Sequence, residues 1–414
     1  MRALILAGLS IALYSALFSR AVGPLILFSI TVMILNDQIG RSSNDFSRKL
    51  LSVVAIFLVL TLLILEKTGI LGFSIPGISF FSFSSISLLV DQWRHAKDRI
   101  LRPGEAFAFI LYFPKLLSGP LARASVFASE LRRPTQLTAV SVDLAFTRIV
   151  FGIVKKFLIA DFLGAQLVAP VFSPDFTGGA LETLIGLYAF AIQIYLDFSG
   201  FIDIAIGISI FFGITLPENF AEPYRASSIR DFWRRWHITL SEWIRDYLFI
   251  PLGGNQGTKA IVVTRLLITM ILCGLWHGSS WPFVLWGLYH GMLLGVEHWR
   301  NKEFAPESRL RSKLLTFHLV LLGWLFFRSS DLTEVLRIFK NLSHGFTMSA
   351  QYLSNHSTEL TVLTLAYVFH FSESWMLKKI ANYSLALKIL IYSLLVIWAL
   401  GTGFSSAQFI YLGF

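Results

Sequence analysis

Two histidines in this 414-residue chain stand where proton transfer could be done. His277 lies in Trp276-His277-Gly278-Ser279-Ser280-Trp281-Pro282, within Leu266–Val296, a stretch free of Asp, Glu, Lys and Arg. A neutral imidazole can accept the proton of a hydroxyl as that hydroxyl attacks a carbonyl. Gly278 and Pro282 predict a helix break beside it, with Ser279 or Ser280 capping the next helix and proline in its first turn. His277 is 12 residues beyond Arg265. At about 1.5 Å per residue that is roughly 18 Å, near the middle of a bilayer. A titratable group at that depth marks a functional site; the competing reading is a structural histidine hydrogen-bonded in a bundle. His290, in Trp286-Gly287-Leu288-Tyr289-His290-Gly291, is expected on a regular helix with small neighbours, in a packing or supporting role.

The second histidine, His237, sits in the segment Ser227 to Pro251. Ser228 and Asp231 form a capping signature. Aromatic residues then alternate with Arg230, Arg234, Arg235 and Arg245. The charge is too dense to cross a bilayer, and the aromatic content suits the headgroup boundary. An interfacial anchor explains the tryptophans and arginines; it does not explain His237 and Ser241, which a single helix would place on one face. Asp197 and Asp203 are carboxylates in an apolar region, costly unless paired or facing water. Six residues apart, they do not share a helix face, so ion pairs with arginines or the lining of a polar entrance are expected.

These residues must be held by membrane-spanning helices. The chain is 55% hydrophobic and 14% charged, against roughly 25% charged in soluble proteins, and its mean hydropathy is +0.66. The net charge of +10 follows from basic loops on the cytoplasmic face, with no nucleic-acid partner. The single Cys273 excludes an intrachain disulfide and argues against a thiolate metal site. Charge-free windows predict about ten membrane helices: Ala3–Ser19, Ala21–Asn36, Leu50–Leu65, Thr68–Val90, Thr183–Leu196, Ile204–Pro217, Leu266–Val296, Leu314–Phe327, Leu360–Ser372 and Ile389–Phe414. Arg2 and the apolar run to Phe18 resemble a leader, but the second run that follows reads as a helical hairpin. Basic clusters fall at Arg41/Arg48/Lys49, Arg94/Lys97/Arg99/Arg102, Arg123/Arg132/Arg133, Arg225 to Arg245 and Arg300 to Lys313. Tyr112 to Pro120, Pro76-Gly77 and Gly253-Gly254-Asn255 must interrupt helices. No linker separates a second domain. The expected fold is all-α, a single integral-membrane domain over residues 1–414.

The motifs in order resemble the membrane-bound O-acyltransferase family, in its bacterial polysaccharide O-acetyltransferase branch. They are Tyr112-Phe-Pro-Lys-Leu-Leu-Ser-Gly-Pro120, Asp197-Phe-Ser-Gly-Phe-Ile-Asp203, Pro217-Glu-Asn-Phe220, Phe232-Trp-Arg-Arg-Trp-His237, Ile250-Pro-Leu-Gly-Gly-Asn255 and Trp276-His277-Gly278 through His290-Gly291. They cover about 85–300; the region after Lys313 matches loosely. The resemblance implies re-entrant and interfacial helices around a central tunnel, in the inner membrane of a bacterium. It implies that His277 is the invariant catalytic histidine and His237 the second functional one. It further implies a cytoplasmic thioester donor such as acetyl-CoA, met by a polysaccharide acceptor or an extracytoplasmic acetyltransferase partner. Arg230, Arg234, Arg235 and Arg245 suit the anionic donor, though lipid headgroups would suit them too. His237, Trp276 and these arginines are candidates to stabilise the oxyanion. Ser241, His290, Asp197 and Asp203 would line or support the route. D-alanyl transfer to teichoic acid is the near alternative; a transporter with a proton-relay histidine is the distant one.

Overall fold

The computed structural model describes residues 1–95, 99–300, 310–345, 350–401 and 410. Lys97, part of the Arg300 to Lys313 cluster and most of the window beyond Gly401 lie outside the described residues. Every regular element among those described is helical. In order these are α1 (Arg2–Leu17), α2 (Val22–Arg41), α3 (Asp45–Lys67), α4 (Ile78–Arg94), α5 (Pro103–Leu111), α6 (Ala124–Arg132) and α7 (Ala139–Ile153). Then follow α8 (Ala180–Phe211), α9 (Ile229–Arg235), α10 (Ile238–Ile244), α11 (Lys259–His277) and α12 (Trp281–Trp299). The last four labelled helices are α13 (Leu310–Arg328), α14 (Leu332–Ser343), α15 (Ser357–Ala381) and α16 (Leu385–Gly401). Five, namely α2, α3, α8, α11 and α13, are long and apolar enough to cross a membrane; α1 and α16 are apolar but shorter.

Helix α3 shows why such a helix suits lipid. Asn44 caps it by accepting from the Phe46 amide at 2.9 Å. Ser52, Ala55, Val59 and Leu63 recur at helical spacing and are buried, whereas Val53, Phe57 and Ile64 are exposed. Both faces are largely apolar, and large apolar side chains face outward, unlike the polar outer face of a soluble helix.

The chain packs as two compact units, Met1–Ile149 with Ile204–Glu218, and Val150–Asp203 with Asn219–Phe414. In the first unit the guanidinium of Arg2 gathers the carbonyls of Glu130, Leu131 and Gly213 at 3.0, 3.0 and 3.1 Å. The prolines act as expected: α5 stops at Leu111, and a single turn, Phe113–Leu116, follows. The Thr68–Val90 window is not one helix, because Gly77 takes a left-handed φ of 84° and α4 starts only after it.

The second unit carries the candidate chemistry. Its core is the antiparallel hairpin of α11 and α12. Gly287, Gly291 and Gly295 recur every four residues along α12 and face α11. A Cβ on Gly287 would stand 2.3 Å from the Met270 carbonyl oxygen, and one on Gly274 would stand 2.2 Å from that of Phe283. The backbones touch because the side chains are absent.

The reading of two further windows needs correction. Thr183–Leu196 and the first part of Ile204–Pro217, as far as Phe211, are not separate spans but parts of one 32-residue helix, α8. Asp197 and Asp203 do not interrupt it because both are neutralised from a neighbouring segment. That segment, α7 and the π-helical Val154–Ala160 after it, matched no charge-free window, since it supplies the neutralising lysines.

Gly287→Val should lower the thermal midpoint of the detergent-solubilised protein by several degrees, from an overpacking cost of about 1–3 kcal/mol or more. Gly23→Ala, with nothing within 4 Å of the added Cβ, should leave it unchanged. Thermal unfolding monitored by tryptophan fluorescence decides.

Candidate active site

His277 is the last residue of α11, at the turn of the hairpin. The helix begins six residues before Arg265, so His277 lies about 27 Å along it from Lys259. Arg265 itself turns to the loop, donating to the carbonyls of Gly253 and Gly254 at 3.1 and 3.2 Å. Ser280 takes the capping position of α12, though its hydroxyl makes no capping bond; Pro282 sits in the first turn. A Cβ on Gly278 would meet the Phe283 ring at 2.5 Å, so the turn closes tightly over that ring. The imidazole of His277 is 4% exposed. It sits 4.4 Å from the ring of Trp276, 4.9 Å from Phe327 and 5.3 Å from Trp286.

Trp286 joins His277 to His290, whose ring lies 5.1 Å from it. His290 is buried, and α13 presses on it: a Cβ on Gly323 would stand 2.6 Å from its Nε2. A file of aromatic rings then runs from His277 through Trp286, Trp233, Phe232, Trp236, Phe220 and Phe198 to His237, each 4.8–5.7 Å from the next.

His237 corrects another expectation. The segment from Ser227 is not one helix. Ser228 caps α9 as predicted, accepting from the Asp231 amide at 3.1 Å. The helix then ends at Arg235, and His237 adopts a left-handed φ of 44° before α10 begins. Its relation to Ser241 is therefore through the backbone, the Ser241 amide donating to the His237 carbonyl at 3.0 Å. A left-handed backbone at a non-glycine residue is costly, and such strain gathers at functional sites.

Asn219, within the Pro217-Glu-Asn-Phe motif, fixes this geometry. Its Oδ1 accepts from the Thr239 amide at 3.1 Å and the Thr239 hydroxyl at 2.9 Å. The amide can only donate, so the atom it meets is the carbonyl oxygen of Asn219. His237 Nδ1, 3.2 Å from the same oxygen, must therefore carry a hydrogen. That leaves Nε2 as the basic nitrogen of the neutral ring. Burial pushes the imidazole down to about 3, so it is neutral at physiological pH.

Three of the four expected arginines converge. Arg230, Arg234 and Arg245 line a cavity of about 630 Å³ with Trp233, Ser241, Met270 and Cys273. Cys273 is one helical turn before His277. Arg235 does not join them: it pairs with Asp231 at 2.8 Å and donates to the Ala221 carbonyl at 3.1 Å. Glu297 of α12, missed in the sequence, accepts from the amides of Ile229 and Arg230 at 2.6 and 3.0 Å. It holds the start of α9, where negative charge is favoured, against the hairpin.

Asp197 and Asp203 pair with lysines, not arginines. Lys156 meets Asp197 at 2.5 Å and Asp161 at 2.8 Å; Lys155 meets Asp203 at 2.6 Å and also Glu373. Tyr195 donates to Glu373 at 2.6 Å. A Cβ on Gly200 would stand 2.8 Å from the Gly152 carbonyl oxygen, so glycine there admits the lysine-bearing segment. Adjacent lysines in an apolar stretch were the available signal. No cluster of His, Cys, Asp and Glu that could hold a metal is present among the described residues.

A sequence model of the MBOAT, membrane-bound O-acyltransferase family, matches residues 4–330. The chain is 38% identical over 297 residues to the "Probable alginate O-acetylase AlgI" of Azotobacter vinelandii, covering 70% of this chain and 59% of that one. It is 33% identical over 313 residues to the peptidoglycan O-acetyltransferase of Helicobacter pylori, covering 68% and 59%. It is 30% identical over 277 residues to the teichoic acid D-alanyltransferase of Bacillus subtilis, covering 61% and 68%. The chain thus spans less than two thirds of the first two of these relatives.

Lys155→Met should destabilise the protein by about 3–5 kcal/mol, because it strands buried carboxylates. Lys155→Met with Asp203→Leu should recover much of the loss. Thermal midpoints of the two variants, measured side by side, check the order.

Proposed function

Since the chain belongs to the membrane-bound O-acyltransferase family, we propose that it transfers an acyl group, taken to be acetyl, from a thioester to a hydroxyl, with His277 as the base. The observation that carries this reading is the place of His277. Its buried ring closes the hairpin one helical turn beyond Cys273, which lines the arginine-bearing cavity. The cavity is lined by apolar Leu266, Met270 and Cys273 and by Arg230, Arg234 and Arg245, with Glu242 among them and Arg245 paired to Asp246 at 2.7 Å. That combination suits a donor with an anionic end and an uncharged arm, as in acetyl-CoA. The arginines would hold phosphates by charge-assisted hydrogen bonds, and the apolar residues would admit the arm toward His277.

In this reading the imidazole of His277 takes the proton of the acceptor hydroxyl. The oxygen attacks the thioester carbonyl carbon, and the carbon–sulfur bond breaks as the tetrahedral intermediate collapses. The thiolate leaves and recovers the proton from the imidazolium. The Trp276 indole N–H, beside His277, is the candidate donor to the developing oxyanion, where such a group is worth most in a dry site. His237, held neutral with Nε2 as its basic nitrogen, supports the reaction by accepting and not donating a hydrogen bond. The names of the relatives favour a cell-envelope polymer as acceptor, reached directly or through an extracytoplasmic acetyltransferase, and a bacterial inner-membrane location.

His277→Ala should lower acetyl transfer by about 10²–10⁴-fold at unchanged membrane abundance, read as labelled acetyl incorporated into cell-envelope glycan. Undiminished incorporation would overturn the assignment. Arg234→Ala should raise KM for the thioester and leave kcat within a few-fold, as expected when uniform binding is lost.

A further inference from the structure

A small cavity, of about 150 Å³, opens where α15 turns into α16. Trp375, Lys379 and Tyr383 line it from α15 and the turn, and Lys388 and Tyr392 line it from α16. Its size falls below the roughly 300–1,000 Å³ of pockets that enclose a small molecule. It suits one charged group whose bearer stays outside. Its lining sets two ammonium groups among aromatic rings. From Ser374 to Gly401 the chain carries Lys378, Lys379 and Lys388 and no acid.

The surface around the cavity is that of a helix leaving hydrocarbon. Along α15, Leu365, Val368, Phe371 and Trp375 are exposed, and their spacing of three or four residues makes one apolar stripe. Lys378 and Lys379 come directly after it. On α16, Leu390, Leu394, Ile397 and Trp398 are exposed beyond the turn. Apolar side chains, then tryptophan, then lysine is the order met at the headgroup level of a bilayer. The two cations have fixed places. Lys388 is 5% exposed, and its Nζ donates to the Ala381 carbonyl at 3.0 Å, at the end of α15. Lys379 Nζ lies 4.8 Å from the centre of the Trp375 ring. A helix C-terminus draws cations by itself, and this accounts for Lys388. It does not account for Lys379, which makes no ion pair among the described residues, or for the Tyr383 hydroxyl, which has no hydrogen-bond partner among them.

We propose that this cavity binds the headgroup phosphate of an anionic phospholipid: Lys379 and Lys388 face the phosphate, Tyr383 donates a hydrogen bond to it, and the acyl chains lie along the stripe that ends at Trp375. Lysine clusters at a membrane surface recognise acidic lipids in this way. A zwitterionic headgroup brings its own cation and meets two ammonium groups less well. The site is independent of the acyl-transfer reading, but it bears on the core of the same unit. Six residues before Lys379, α15 carries Glu373, the partner of Lys155. Helix α16 packs on the π-helical Val154–Ala160, which carries Lys155. A headgroup shared by Lys379 and Lys388 joins the two helices that back this ion network.

The test titrates the full detergent-solubilised chain with short-chain phosphatidylglycerol or phosphatidylcholine and reads bound lipid by native mass spectrometry. The wild type should bind phosphatidylglycerol about tenfold tighter or more, the effect expected of two lysines beside an acidic headgroup. Lys379→Gln should remove most of that preference, and Lys379→Arg, which keeps the charge, should retain it. Tyr383→Phe should weaken phosphatidylglycerol about two- to tenfold, as for one lost hydrogen bond. Lys340→Gln, which removes an exposed lysine from α14, should leave both affinities unchanged. Phosphatidylglycerol should also raise the thermal midpoint of the wild type, and raise that of Lys379→Gln much less, because a ligand of the folded state stabilises it. Equal affinity for the two lipids, or an intact preference in Lys379→Gln, overturns the proposal. An equal loss in Lys340→Gln also overturns it, since general surface charge would then be the cause. So does displacement of phosphatidylglycerol by inorganic phosphate at matching concentration, which would assign the cavity to a free anion.

Discussion

The paired lysines Lys155 and Lys156 are the interaction on which the site depends. They neutralise Asp197 and Asp203 from outside the helix that bears them, and so let α8 run unbroken for 32 residues. Bare carboxylates at these positions would end the helix or drag it to water. With them paired, one rod carries Gln193 against Gly164, Tyr195 against Glu373, and Phe198 against His237. Gly200 completes the arrangement by removing the side chain that would hold the lysines away. Buried ion pairs add little net stability compared with apolar packing. Their contribution here is geometric, since they fix where the long helix can be.

The α11–α12 hairpin solves a different problem with different means. Glycines at every fourth position let two backbones touch, so that the turn between them is set by steric contact and not by polar bonds. The turn holds His277, and the aromatic residues of α9, α12 and α13 close around it. Charge is kept to the edges of this cluster: arginines line the neighbouring cavity, and Glu297 secures the start of α9.

Much of this was legible in the residues. The proline breaks, the helix break after His277 and the cap at Ser228 were readable because each depends on backbone chemistry local to a few positions. What could not be read was anything set by a partner distant in sequence. Windows without charge divided α8 at its aspartates and passed over Lys155, because a single row of residues cannot show that one charge cancels another. Arg235 was grouped with the cavity arginines for the same reason: only the fold shows that Asp231 and the Ala221 carbonyl claim it.

The backbone of His237 limits how its chemistry can be interrogated. A residue with φ near 44° is held there by Asn219 and by the start of α10, at a steric cost that most side chains resist. Replacing it with alanine removes an imidazole and at the same time puts a residue less tolerant of left-handed backbone at the turn, so one observation would confound two events. Asparagine and glycine tolerate that region better, and they are the replacements that separate the ring from the turn. In this respect the strained loop is also a measuring instrument: whichever substitution keeps its shape reports the imidazole alone.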